Sequence, residues 1–209
     1  MNRYKIVCLI LGLGLLTALI RVVMLSGERQ SLPDPKEVVI NNIFQRKSVR
    51  SYTAQPISRG QLDTLARVGM AAPTGKDMRP WCFILVDDAE AIKKVHKALP
   101  RQEMLAQAKA LIVVCGDLSV TDDKGKPSRN WPLDCSAATE NILLAAESMG
   151  LGAVWLGVYP YEDRIPEVSK ALGIPENVIP LNVISLGYPK GNPQPKDKYD
   201  KSNIHYNEW

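Results

Sequence analysis

The segment ALIVVCGD, residues 110–117, most restricts how this chain can fold, because it is apolar along nearly its whole length. A strand whose alternating side chains are apolar on both sides must be covered by other elements on both faces. Three further apolar runs, WCFILVDD, GAVWLGVY and VIPLNVISLGYP, are separated by segments of helical periodicity. This interleaving predicts a central sheet with helices on both faces, a sandwich of either the α/β or the α+β class.

Two helices that precede the strands carry clear start signals. In SLPDPKEVVINNIFQ, Asp34 suits the N-cap and Pro35 suits the first helical position. In ISRGQLDTLARVG, Ser58 and Gln61 have the spacing of a capping box. The apolar positions of the first helix predict the face that it buries: Val39, Ile40, Ile43 and Phe44.

A longer helix is predicted in DCSAATENILLAAESMG, with Asp134 as its cap and Gly150 as its end. It is apolar on two faces, which is typical of a helix inside a large core or at a subunit interface. The polar segment before it, DDKGKPSRNWP, predicts a mobile loop of the lid type.

The N-terminus, MNRYKIVCLILGLGLLTALIRVVML, has a different character from the rest of the chain. Arg3 and Lys5 precede an apolar run from Ile6 to Ile20, and Arg21 interrupts the run before it resumes. This pattern is typical of a membrane anchor or a signal segment. We therefore predict that residues 1–30 anchor the protein in a membrane with the N-terminus inside, or are cleaved on export. Residues 31–209 are predicted to form one globular domain.

Composition and motifs narrow the range of functions. The formal net charge of +4 is too small to indicate nucleic-acid binding. The cysteines Cys82, Cys115 and Cys135 have neither a CxxC spacing nor a nearby histidine, so no metal site is predicted. The sequence has no nucleophile motif, no Walker loop and no dinucleotide fingerprint. An enzyme with this sequence is therefore expected to rely on a cofactor.

The heptapeptide RKSVRSY places Arg46, Lys47 and Arg50 within five residues, with Ser48 among them. Like charges at this spacing repel one another unless something anionic lies between them. Taken alone, the segment is explained equally well by a solvated basic loop and by an anion-binding site.

Four segments in order resemble the FMN-dependent nitroreductase family: RKSVRSY, AAPTGKDMRPWCFILV, ENILLAAESMGLGAVWLG and IPLNVISLGYPKGNPQPKDK. The resemblance runs from about residue 43 to residue 209 and leaves out the N-terminal segment. It implies an α+β fold whose central, mostly antiparallel sheet is flanked by helices. It also implies a homodimer in which the C-terminal arm wraps the other subunit, with FMN as cofactor and NADH or NADPH as co-substrate.

In this resemblance, Arg46 and Ser48 hold the flavin phosphate. Arg50 reaches the ribityl chain and the N1–O2 edge of the ring. The chemistry agrees, because arginine binds phosphate through two parallel hydrogen bonds and a cation at N1–O2 stabilises the anionic reduced flavin. Lys47 is expected to contribute its backbone, with its side chain in solvent.

Two other parts of the chain are given flavin contacts by the resemblance. Lys196 or Lys198 stands where the family carries a basic residue that closes the phosphate site. In GLGAVWLG, a backbone N–H of Leu156 or Gly157 is expected to donate to the flavin N5, since small residues let the backbone approach a flat ring.

The second segment departs from the family pattern. Pro73 and Thr74 match it, but Asp77 stands where the family has Asn and Arg79 where it has Gln. An ionised Asp only accepts hydrogen bonds, whereas Asn also donates. We expect Asp77 to accept from the flavin or to pair with Arg79.

The activity implied is transfer of hydride from NAD(P)H to FMN and onward to a small organic acceptor of the nitroaromatic, quinone or enone type. No catalytic side chain is predicted, because the flavin carries the chemistry. One alternative is a flavin-binding module without turnover that stores FMN or passes electrons to a membrane partner. Another is an oxidase that acts on a dedicated substrate and returns electrons to oxygen.

Overall fold

The structure of the protein is a computed structural model that describes residues 2–27 and 34–209. The chain divides into two compact units, Met1–Val39 and Ile40–Trp209. The first unit contains helix α1 (Arg3–Gly27). The boundary predicted between residues 30 and 31 lies outside the described residues.

The membrane anchor predicted for the N-terminus is not supported. In the ranges 2–27 and 34–209, no helix reaches the length and hydropathy needed to cross a membrane. The apolar run from Ile6 to Ile20 contains Gly12, Gly14 and Thr17, and it ends short of the roughly 20 apolar residues that a span requires. The predicted membrane anchor, the membrane as a partner, and the localisation and orientation derived from them are therefore wrong.

The remaining described chain forms helices, strands and short 3-10 turns in alternation. The helices are α2 (Pro35–Gln45), α3 (Arg59–Gly69), α4 (Ala89–Ala98), α5 (Trp131–Ser148) and α6 (Ile165–Leu172). The strands are β1 (Trp81–Val86), β2 (Ala110–Asp117), β3 (Gly152–Gly157) and β4 (Val178–Gly187). The 3-10 turns are Gly75–Asp77, Glu103–Ala106 and Lys201–Asn203.

The strands form one sheet in the order β1-β2-β4-β3. Each adjacent pair is antiparallel, with Val113 opposite Val183 and Gly152 opposite Gly187. The central strands β2 and β4 are buried along most of their length. The α+β prediction is therefore confirmed, and the α/β alternative is excluded because it requires parallel strands.

Helices cover both faces of the sheet, as predicted. Val95 of α4 and Val168 of α6 are buried in one core with Val113. Leu65 of α3 is buried in a second core with Ile112, and α5 adds to the same core. Side chains alternate along a strand, so neighbouring residues of β2 serve opposite cores. Full burial of such a side chain contributes about 1.5–3 kcal/mol.

The capping box predicted for α3 is confirmed, but the predicted burial of α2 is wrong. The N–H of Gln61 donates to Ser58 Oγ at 3.3 Å, and Gln61 Oε1 accepts from the N–H of Ser58 at 3.0 Å. No residue of α2 is buried. Helical periodicity identifies an apolar face but does not say what covers it. The four apolar residues of that face are at least 46% exposed: Val39, Ile40, Ile43 and Phe44.

Candidate functional site

The basic segment RKSVRSY lies against the end of the sheet. The N–H of Val49 donates to the carbonyl of Ala153 in β3 at 2.9 Å. The buried hydroxyl of Tyr52 lies 2.8 Å from the carbonyl of Val49 and 3.1 Å from that of Ser185 in β4. These contacts fix the backbone on both sides of Arg50, so the cations of the segment project from a held loop.

Two glycines make room for this loop. Gly152 and Gly187 lie opposite each other in the β3–β4 pair. A Cβ on Gly152 would lie 2.7 Å from Val49 Cγ1, and a Cβ on Gly187 would lie 2.5 Å from Tyr52 Cγ. Any side chain at either position would push the loop off the sheet.

The loop and the C-terminal tail together form a cationic cavity of about 230 Å³. The tail contributes both Lys196 and Lys198, the two lysines that the resemblance offered as alternatives, so the geometry does not separate them. The lining residues are Arg46, Lys47, Ser48, Arg50, Gln194, Lys196 and Lys198.

Two of the cations in this cationic cavity are paired with carboxylates of α5. Arg46 Nε lies 3.2 Å from Glu140 Oε1, and Lys47 Nζ lies 2.7 Å from Glu147 Oε1. The side chain of Lys47 is only 17% exposed, so the expectation that it points into solvent is wrong. The Lys47 ammonium is held in an ion pair whose two side chains are both largely buried, so it is less free than Arg46 to bind a ligand.

The other cations of the cavity have no such partner. Within residues 2–27 and 34–209, no ion pair joins Arg50, Lys196 or Lys198 to a carboxylate. Cations gathered without counter-charge repel one another, and an anion between them removes that repulsion. The geometry therefore favours the anion-site interpretation of RKSVRSY over the solvated loop.

An apolar cavity of about 590 Å³ shares Arg46, Lys196 and Lys198 with the cationic cavity. Phe44 of α2 and Tyr199 of the tail contribute apolar surface to it. A ligand that combines a charged end with an apolar part needs adjoining surfaces of these two kinds.

The segment 73–79 is fixed by a carboxylate of α5. Thr74 Oγ1 donates to Asp134 Oδ2 at 3.2 Å, and the N–H of Gly75 donates to Asp134 Oδ1 at 3.1 Å. The N–H of Arg79 in turn donates to Thr74 Oγ1 at 3.0 Å. Asp134 was predicted to cap α5, but the helix begins three residues earlier, at Trp131. The buried carboxylate of Asp134 instead holds the loop on the helix.

Asp77 and Arg79 are paired, which is one of the two arrangements expected for Asp77 from the sequence. Arg79 Nε lies 2.7 Å from Asp77 Oδ1, and Arg79 Nη2 lies 2.5 Å from Asp77 Oδ2. The hydrogen bond from Arg79 holds the pKa of the Asp77 carboxyl below its ordinary value. Both side chains are about two-thirds exposed, at 66% and 68%. Solvent therefore weakens the pair strongly.

The backbone of this segment is strained. Lys76, Asp77 and Arg79 have φ angles of 54°, 53° and 52°, in the left-handed region that non-glycine residues rarely adopt. Such conformations cost on the order of 1–3 kcal/mol each and persist only where surrounding contacts fix them. The contacts of Asp134 supply that restraint.

The residues predicted from other segments do not join the cationic cavity. Pro73, Thr74, Asp77 and Arg79 are absent from its lining, as are the strand residues Leu156 and Gly157. The predicted flavin contacts thus fall into three groups along the protomer: the cationic cavity, the segment 73–79 and the end of β3.

The end of β3 is held by an arginine that sequence reasoning missed. Leu156 is buried, and Gly157 pairs with Asn182 of β4. Arg164 Nη1 donates to the carbonyl of Gly157 at 2.7 Å, and its guanidinium lies 4.2 Å from the ring centroid of Tyr161. Arg164 fixes the backbone at the position where the resemblance expects a contact to the flavin.

Comparison with known proteins identifies the family. A relative from Archaeoglobus fulgidus, provisionally named an NADH dehydrogenase/NAD(P)H nitroreductase, is 42% identical over 83% of this chain and 99% of its own. A crystal structure from Bacteroides thetaiotaomicron with the same provisional name has 50% identity and a TM-score of 0.77, over 82% of this chain and 98% of that one.

A more distant solved structure is the NADPH:FMN oxidoreductase of Vibrio harveyi complexed with NAD+. It has 29% identity and a TM-score of 0.71, over 82% of this chain and 77% of that one. The model of the nitroreductase family matches residues 43–100 and 93–188. The chain therefore belongs to the nitroreductase family.

Proposed function

We propose that the protein is an FMN-dependent oxidoreductase that takes hydride from NADH or NADPH and reduces a small organic acceptor. The cationic cavity carries this proposal, because it collects Arg46, Ser48, Arg50, Lys196 and Lys198 around one space. Membership of the nitroreductase family and the name of the Vibrio harveyi relative support it.

The residues of the cationic cavity suit the phosphate end of FMN. A phosphate monoester carries about 1.5–2 negative charges at neutral pH and three acceptor oxygens. Arg50, Lys196 and Lys198 supply positive charge, and the hydroxyl of Ser48 supplies a neutral donor. The adjoining apolar cavity offers an apolar surface for the part of the cofactor that extends beyond the phosphate.

We assign Arg46 as a further donor for the phosphate, although it is paired with a carboxylate. Its side chain is 19% exposed and is oriented by Glu140, whose own side chain is 50% exposed. A guanidinium has five N–H donors, so one contact to a carboxylate leaves others free for a phosphate. Glu140 thus holds Arg46 in place without occupying all of its donors.

When bound, FMN supplies the redox chemistry, namely acceptance of a hydride and its return to an acceptor. The chain binds the cofactor and orients it. The segment 73–79 presents Asp77 and Arg79, and the end of β3 presents the backbone of Leu156 and Gly157. Nitroaromatics, quinones and enones are the acceptor types we propose, and water supplies their protons.

Two alternatives follow from the sequence. A flavin-binding module without turnover is not favoured, because the relatives carry the names of reductases and oxidoreductases. The second alternative, an oxidase that returns electrons to oxygen, differs from the main proposal in the final acceptor. Steady-state assays with and without oxygen separate it from a reductase of organic acceptors.

Substitution of Arg46 by alanine tests the proposal. Loss of a charge-assisted contact to phosphate costs about 1.5–3 kcal/mol, which is roughly tenfold or more in FMN affinity. Arg59→Ala is the matched control, since Arg59 also pairs with a carboxylate, that of Asp87, but lies outside the cationic cavity. Equal FMN dissociation constants for the two variants and the wild type would remove RKSVRSY from the site.

A further inference from the structure

A second positively charged cavity lies between the segment 73–79 and the polar segment before α5. It has a volume of about 410 Å³. It shares no lining residue with the cationic cavity. Four cations and one carboxylate line it, in the order Lys76, Asp122, Lys124, Lys126 and Arg129. We call it the hairpin cavity, after the structure of residues 121–127.

The polar segment, expected from its composition to be a mobile loop of the lid type, forms a tight hairpin turn. Thr121 pairs with Pro127 in an antiparallel bridge. Asp122 Oδ1 accepts from the N–H of Lys124 at 2.9 Å and from the N–H of Lys126 at 3.0 Å. Gly125, with φ of 69°, provides the left-handed residue that the turn needs. The two lysines are thus displayed by a defined backbone.

The one carboxylate of the hairpin cavity does not neutralise its cations. Backbone hydrogen bonds occupy Asp122 and are the main reason that the pKa of its carboxyl lies below the ordinary value, with the nearby charge of Lys76 adding to the effect. In the described part of the chain, no ion pair involves Lys76, Lys124, Lys126 or Arg129. The hairpin cavity therefore keeps an excess of positive charge, which favours an anion with several charges.

Both walls of the hairpin cavity are anchored. The hairpin runs directly into α5, and Asp134 of α5 holds Gly75 at 3.1 Å on the opposite wall. A Cβ on Gly75 would lie 2.9 Å from Asn130 Nδ2, so the two walls touch at their base. The backbone that carries the cations is therefore held on both sides of the cavity, so little backbone freedom is lost when an anion binds.

The loop that carries Lys76 also carries Asp77 and Arg79, which the proposed function assigns to the flavin. A hydride donor must lie against the flavin ring, and its phosphates must then lie within reach of it. The nicotinamide dinucleotides are anions of this kind, since both have a pyrophosphate and NADPH has an additional 2′-phosphate. Four cations against one carboxylate leave the cavity with an excess of positive charge, which matches the more highly charged of the two.

We propose that the hairpin cavity binds the phosphates of the reduced nicotinamide dinucleotide and that Lys124 and Lys126 select NADPH over NADH by binding the 2′-phosphate. This inference rests on the proposed function for the identity of the ligand. Lysine binds phosphate as a point charge, so the selection is expected to be sensitive to salt.

The test compares the FMN-loaded double variant Lys124→Gln/Lys126→Gln with the wild type. An uncharged quinone serves as acceptor, so that binding of the acceptor does not depend on the lysines. KM for NADPH is expected to rise roughly tenfold or more, KM for NADH to rise less, and kcat to change less than KM. Lys94→Gln/Lys97→Gln on α4 is the matched control, since it removes the same charge from exposed positions outside the hairpin cavity.

Calorimetric titration with 2′,5′-ADP and with 5′-ADP provides a readout that does not need turnover. Tighter binding of 2′,5′-ADP by the wild type, weakened roughly tenfold in the hairpin variant, supports the inference even if the protein oxidises neither dinucleotide. In that case the proposed function fails while the anion site stands. An unchanged ratio of the two KM values in an active double variant, or equal binding of the two nucleotides by the wild type, overturns the inference.

Discussion

The ring of Tyr52 occupies the space that a side chain on Gly187 would need, with Tyr52 Cγ 2.5 Å from the position of the missing Cβ. This contact joins the last residue of RKSVRSY to the last residue of β4. The orientation of the cations in the cationic cavity therefore depends on a glycine in a strand, far from them in the sequence.

Gly187→Ala should displace Tyr52 and loosen the loop. Overpacking of this kind costs about 1–3 kcal/mol, which lowers Tm by roughly 2–4 °C for each kcal/mol in a chain of this size. FMN affinity should fall as well, because the loop carries Arg46 and Arg50. Gly60→Ala is the control, since a Cβ there meets nothing within 4 Å. Wild-type Tm and FMN affinity in Gly187→Ala would show that the contact does not fix the loop.

The stability of the protein should depend on Tyr52 at high pH. Burial raises the pKa of Tyr52 to about 12. In the unfolded chain the phenol ionises near pH 10, so between about pH 10 and 12 the unfolded state loses a proton that the folded state keeps. The contribution of Tyr52 is complete below pH 10 and falls by about 1.4 kcal/mol per pH unit up to about pH 12.

Tyr52→Phe isolates this effect, since other tyrosines and the lysines titrate equally in both proteins. At neutral pH the unfolding free energy of the variant should be lower by about 0.5–1.5 kcal/mol, because the variant lacks the hydrogen bond of the hydroxyl. Above pH 10 its unfolding free energy should fall less steeply than that of the wild type. Urea titrations from pH 8 to about pH 11 measure both quantities. Parallel pH profiles for the two proteins would contradict the assignment.

The pair of Asp77 and Arg79 should tune the flavin. Arg79→Gln is expected to lower the reduction potential of bound FMN, because it leaves an unpaired carboxylate beside a ring that becomes anionic on reduction. Asp77→Asn, which restores the residue of the family, should raise it. Lys93→Gln is the matched control, as the Lys93–Glu90 pair has similar exposure, at 66% and 72%. Potentiometric titration measures the midpoint potential of bound FMN in the wild type and the three variants. Midpoints that agree within a few millivolts would show that the pair does not tune the flavin.

The homodimer implied by the resemblance stays a prediction, and the exposed face of α2 gives it a physical motive. Phe44 is 70% exposed, and the tail residues Tyr206 and Trp209 are more exposed still. Burial of such side chains against a second copy would contribute about 1.5–3 kcal/mol each. Sedimentation should give twice the chain mass of 23.1 kDa. Phe44→Asp should weaken the dimer, whereas Lys94→Asp, at an exposed position of α4, should not. A flavin-loaded monomer in the wild type would exclude the dimer.

The sheet and its covering helices could be predicted from the sequence because their signals are local. ALIVVCGD is apolar on both sides of the strand, and Ser58 and Gln61 are three residues apart. Those patterns act within one element, where periodicity and capping decide the structure. The antiparallel order of the strands needed the family resemblance, since apolar runs alone do not define direction.

Several roles that sequence reasoning missed depend on contacts between residues that are far apart in the chain. Asp134 has the type and position of a helix cap, yet it bonds to Thr74 and Gly75, some 60 residues away. Glycines paired across strands, such as Gly152 and Gly187, look like turn residues until the loop that they admit is known. The prediction that the apolar face of α2 is buried was wrong for the same reason, because the residues near α2 in the sequence do not say what covers that face.

Anaerobic titration of the purified protein with NADPH tests the central claim most directly. The protein should purify yellow with one FMN per chain, and the visible absorbance of the flavin should disappear on addition of about one equivalent of NADPH and return on addition of a quinone. A protein that binds no FMN, or one whose flavin absorbance persists with both NADPH and NADH, would contradict its assignment as an NAD(P)H-dependent flavin oxidoreductase.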